Sequence, residues 1–105
     1  MTAQTTQPAS LPWLEKLIAI PTVSGTSNLE LIELIEAEFA RYGYSGVRTY
    51  NEDGTRANLL VTIPAADGTT RGGIILSGHT DVVPVAGQAW DADPFTLRVE
   101  GTRAY

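Results

Sequence analysis

Apolar and polar positions change rhythm along this chain, and each rhythm predicts an element. Trp13, Leu14, Leu17 and Ile18 recur at helical spacing after Ser10, a candidate cap. Pro12 sits where an early helical position tolerates proline, and Pro21 supplies a stop, so a short helix is predicted over 11–20. A second stripe follows at Leu31, Ile32, Leu34, Ile35, Phe39 and Tyr42. Ser27 and Glu30 have the spacing of a capping box, and Gly43 suits the position just past a helix end. The polar positions of this helix carry Glu30, Glu33, Glu36 and Glu38. An acidic face argues for packing against a core rather than lying on a membrane.

Beyond Gly43 the pattern turns strand-like. Residues 46–50 (GVRTY) are short and half-apolar, and 51–54 (NEDG) are turn formers. The runs at 58–63 (NLLVTI) and 73–77 (GIILS) are nearly continuous in apolar residues, as suits strands buried on both faces. The turn-rich stretch around Asp67-Gly68 predicts that these two runs pair antiparallel. Residues 95–99 (FTLRV) alternate as a strand would. Glu100-Gly101 can turn, but the four residues after it offer a hairpin little support. Helices followed by strands in a covered sheet imply an α/β layered domain. Residues 1–9 are polar and read as a mobile tail.

Composition narrows the classes. At 105 residues the length allows one domain at most. Twelve acids against seven bases give a net charge of −5, and the arginines are scattered, so no basic stripe exists for nucleic acid. No apolar run is long enough to span a bilayer, and the first residues lack the pattern of a secretory signal. A cytoplasmic location is the default expectation. The absence of cysteine removes disulfides, thiolate metal sites and cysteine nucleophiles.

One segment carries candidate chemistry. In LSGHTDVVP, residues 76–84, the only histidine, His79, ends an apolar run and precedes Asp81 by two positions. Extended backbone puts His79 and Asp81 on one side and Thr80 on the other. Three readings fit that geometry. The carboxylate could orient the imidazole as a metal ligand. The two could form a metal-free catalytic pair, given a nucleophile such as Ser77. Or the pair is a plain structural hydrogen bond. A catalytic zinc takes about three protein ligands. Further donors within the chain would have to be carboxylates, with Asp91 and Asp93 in WDADPF as candidates that equally suit a solvated turn.

Taken together, the segments LPWLEKLIAIPTVSGTSN and LSGHTDVVPVAGQAW, followed by DPF, resemble the co-catalytic zinc metallopeptidase and amidohydrolase family. The Pro-Val-x-Gly-Gln-x-Trp extension at 84–90 is most similar to its acetylornithine deacetylase branch. The resemblance implies that 10–105 form the N-terminal, incomplete part of a three-layer α/β/α zinc-peptidase-like catalytic domain. It implies His79 as a metal ligand and Asp81 as the active-site acid that orients it. Two Zn2+ ions per complete site are implied, with Co2+ as a substitute. The implied reaction is hydrolysis of an N-acyl amino acid, N-acetylornithine above all, giving ornithine and acetate for arginine synthesis. A desuccinylase, aminoacylase or carboxypeptidase of the same family is the alternative. The implied assembly is a homodimer through a smaller domain absent from this sequence. The family's remaining metal-site acids, its paired glutamates and its final histidine are also absent, so the isolated chain is expected to be inactive.

Overall fold

The NEDG turn decides which strands meet. In the computed structural model, which describes residues 6–105, the elements run α1 (Ser10–Ile18), α2 (Leu29–Arg41), β1 (Gly46–Tyr50), β2 (Ala57–Val61), β3 (Val99–Glu100) and β4 (Arg103–Ala104). The chain forms two compact units. One is Thr22–Val83; the other joins the chain up to Pro21 with Pro84–Tyr105. The mobile tail expected at 1–9 lies outside the described residues for 1–5, while 6–9 are exposed.

Within Thr22–Val83, α2 ends as its sequence predicts. Gly43 takes a left-handed φ of 84°. Its N–H reaches the Ala40 carbonyl at 3.0 Å, and the Tyr44 N–H reaches Phe39 at 3.1 Å, the double bond of a Schellman ending. The start differs from the expected capping box. Asn28 is the cap residue, and its side chain makes no capping bond. Ser27 Oγ accepts only a 3.3 Å contact from the Leu29 N–H. Leu31 and Ile32 are buried against this unit's small core with Ala57, whereas Tyr42 at the far end of the stripe is exposed.

β1 and β2 pair antiparallel, Gly46 opposite Val61 and Tyr50 opposite Ala57. The turn between them is built by side chains. Asn51 Oδ1 accepts from the Arg56 N–H at 2.8 Å, and Asp53 Oδ1 accepts from both the N–H and the hydroxyl of Thr55. Gly46 leaves room for Leu59, whose Cδ1 would lie 2.5 Å from a Cβ placed there and would have to shift. Arg48 clasps Glu36 of α2 through two hydrogen bonds, one of them 2.7 Å, joining helix to hairpin.

Two strand expectations are corrected. The partner of β2 is β1, not 73–77, which forms no strand. A short self-capping turn closes the nearer pair at less entropic cost than the longer 64–72 connection. The run Ile74, Ile75 and Leu76 is 87–89% exposed. Nor is β2 covered on both faces. Ala57 is buried and Leu59 and Val61 are half-buried, but Leu60 is 64% exposed, because α2 packs on one side only.

In the other unit, α1 begins at Ser10 itself, so Ser10 is the first helical residue rather than the cap, and no residue of α1 is buried. The strand expected at 95–99 shrinks to a hairpin of Val99 opposite Ala104 and Glu100 opposite Arg103. Arg98 and Tyr105 extend it with reciprocal backbone bonds of 3.0 and 2.7 Å. The short partner is thus enough, helped by the Arg98 guanidinium 4.8 Å above the Tyr105 ring. The fold is a mix of helices and small antiparallel sheets, α/β in content.

Candidate functional site

The loop PTVSGTS, unremarkable by composition, is what holds the histidine segment. Val23 and Val82 form a single parallel bridge. The Ser24 N–H donates to the Val82 carbonyl and the Val82 N–H to the Thr22 carbonyl, each at 2.9 Å. Thr22 is buried, and its hydroxyl donates to the Thr80 carbonyl. Asn28 completes the frame. Its amide donates to the Ala57 carbonyl at 2.9 Å and accepts from the Ala57 N–H at 3.0 Å, as a neighbouring strand would. The same amide nitrogen donates to Thr80 Oγ1 at 3.1 Å. Asn28 therefore ties β2 to the histidine segment instead of capping α2.

With Thr80 fixed inward, the alternation expected of extended backbone follows. Thr80 is half-buried, while the side chains of His79 and Asp81 are 83% and 60% exposed. His79 Nδ1 and Asp81 Oδ1 lie 2.8 Å apart. The second carboxylate oxygen, Oδ2, accepts from Ser24 Oγ at 2.7 Å. The Ser24 hydroxyl, and after it the His79 ring, hold the Asp81 carboxyl below its usual pKa. Asp81 is thus an anion at neutral pH and can only accept, so the neutral ring carries its proton on Nδ1. That leaves the Nε2 lone pair as the donor atom.

The structure brings His79 and Asp81 together as their spacing predicts. No hydrogen bond joins Ser77 to the ring among the described residues, and the metal-free pair lacks its nucleophile there. Asp91 and Asp93 belong to the other unit. Asp93 uses both oxygens on its own turn, accepting from the Phe95 N–H at 2.9 Å and the Thr96 hydroxyl at 3.0 Å. Among the described residues no group of three or more His, Cys, Asp or Glu side chains is gathered to hold a metal. His79 offers one exposed ring nitrogen, Nε2, as a donor atom. In the 84–90 extension, Gln88 links the Pro84 carbonyl at 2.8 Å to the Trp90 indole N–H at 3.0 Å, a turn-building role.

Over 95 residues the chain is 37% identical to the acetylornithine deacetylase of Salmonella arizonae, and equally to those of Salmonella paratyphi B and Salmonella newport. It is acetylornithine deacetylase-like over that stretch. The match takes in 85% of this chain, and the chain spans 24% of the length of these curated relatives. No family model matches the chain, and no solved structure does. No helix among the described residues is long and apolar enough to cross a membrane.

The sequence marks the histidine and its acid but not their supports. Ser24 and Asp81 are 57 positions apart, so no local pattern links them. Nothing in the sequence marks Asn28 for its bonds with Ala57 and Thr80.

Proposed function

We propose that this acetylornithine deacetylase-like chain carries the opening part of the three-layer catalytic domain of a metal-dependent amidohydrolase. The hydrogen bond from the His79 ring to Asp81 is the observation that supports this reading. Bound divalent ions, two zinc ions or cobalt in their place, would supply polarisation of the substrate amide and acidification of the attacking water. His79 contributes one imidazole nitrogen, Nε2. Asp81 keeps the proton on Nδ1 and aims the ring. The remaining ligands and the general base come from residues outside this chain. The substrate class is an N-acyl amino acid, first among them N-acetylornithine, cleaved to ornithine and acetate in arginine synthesis. The enzyme works in the cytoplasm as a homodimer.

The test is hydrolysis by the intact enzyme and its His79→Ala variant, with metal content measured on both. Loss of activity together with metal is expected. Full activity and full metal content in the variant would overturn the ligand role. Preference for an N-succinyl or another N-acyl substrate over N-acetylornithine would move the enzyme to a sister activity. Turnover by the 105-residue chain alone, with uptake of two ions, would overturn the claim that further ligands lie outside it.

A further inference from the structure

We propose that Ser24 is a positioning residue for His79, fixing the Asp81 carboxylate so that the imidazole keeps its proton on Nδ1 and offers Nε2 outward. The proposal rests on the reading of His79 as a metal ligand. Its starting point is the exposure of the pair. A carboxylate's terminal torsion is broad, and one hydrogen bond in open solvent leaves it free to swing. Asp81 does not depend on one bond. Oδ1 faces the ring at 2.8 Å and Oδ2 faces the Ser24 hydroxyl at 2.7 Å, so turning the carboxylate breaks both.

Ser24 is itself held by backbone. Its N–H is bound to the Val82 carbonyl, and its Oγ lies 3.3 Å from that same oxygen. Gly25, at φ 92°, turns the chain away immediately after it. Asp81 is pinned on both sides, through Thr80 by the Thr22 hydroxyl and through Val82 by the bridge. Donor and acceptor thus share one rigid frame two residues wide. An exposed hydroxyl–carboxylate bond adds little to folding stability. What it changes is direction, and supports of this kind around a ligating histidine govern ring orientation and tautomer.

Because the chain has a single histidine, its ring nitrogens can be read without assignment. Long-range 1H–15N NMR of the 105-residue chain, about two pH units above the ordinary histidine value, would compare Ser24→Thr with Ser24→Val. These replacements match in shape and differ in the hydroxyl. Wild type and Ser24→Thr should show the two widely separated nitrogen signals of the Nδ1–H tautomer. Ser24→Val should draw the two signals together as the tautomers mix. A Ser24→Val spectrum identical to wild type would overturn the proposal. So would a Ser24→Val chain that unfolds while Ser24→Thr stays folded, because the hydroxyl would then be a structural clamp. Metal content of the intact enzyme separates this idea from the one beneath it. A His79→Ala enzyme that keeps its full metal, alongside a tautomer that still depends on Ser24, would sink the ligand reading and leave the positioning role standing.

Discussion

Residues 57–61 and 73–77 are nearly interchangeable as sequence, yet they end in opposite environments. ANLLV pairs with β1, packs Leu59 and Val61 toward α2, and has its first residue gripped by Asn28. Among the described residues GIILS has no partner strand, and it leaves three large aliphatic side chains almost wholly in solvent. The difference lies in what flanks each run. One follows a turn that folds it back on β1; the other follows a connection with its own closed turn, where Asp67 accepts from the Thr69 N–H at 2.9 Å, yet meets no strand among the described residues. An apolar run states a capacity for pairing, and its neighbours decide whether that capacity is used.

Asn28 is where the two runs differ most in what holds them. Asn28→Ala removes three hydrogen bonds and strands both backbone groups of Ala57, which should cost about 2–4 kcal/mol in urea unfolding. Hydrogen exchange at Ala57 should accelerate with it. Unchanged stability would show that the grip on β2 is incidental. A matched pair of substitutions sharpens the contrast. Leu59→Ala should cost about 1–2 kcal/mol, as expected for a half-buried side chain, while Ile75→Ala should leave the unfolding midpoint in place. Equal losses would mean that 73–77 is packed in solution. Ile75→Lys should also raise solubility, measured as the concentration at which light scattering begins, because an exposed apolar run invites edge pairing. Gly46→Ala pushes a methyl against Leu59 and should cost about 1 kcal/mol. Ser77→Ala should change nothing.

The smallest effect concerns pH. Arg48 holds the Glu36 carboxyl below its ordinary value through their hydrogen bonds. A carboxylate with a depressed folded pKa contributes stability that is present near neutrality and is lost as pH falls through that value. Between neutral pH and about pH 3, wild type should therefore lose more of its urea midpoint than Glu36→Gln does. Parallel losses would show the ion pair to be idle.

Much of the local architecture was legible. The α2 stripe, its glycine ending and the NEDG turn are short-range signals, and each is read within a few residues. The His79–Asp81 contact was legible for the same reason, since a two-residue spacing in extended backbone leaves little choice. What escaped was contact across distance. Nothing in SGTSN announces that Ser24 will bond Asp81 or that Asn28 will forgo its helix for Ala57. The pairing of 58–63 with 73–77 failed because both segments advertise the same affinity, and the turns closed by Asp53 and Asp67 look alike in sequence.

The Val23–Val82 bridge also tells an engineer where to cut. Everything between its two ends is, topologically, a single long excursion that returns to the same spot. Lengthening such an excursion is cheap, since the closure term grows only logarithmically and roughly ten added residues cost about 0.1–0.2 kcal/mol. Thr70 and Arg71 lie on that excursion in exposed irregular backbone. A fluorescent or epitope graft between them would report on the protein from outside while leaving the imidazole's cradle undisturbed.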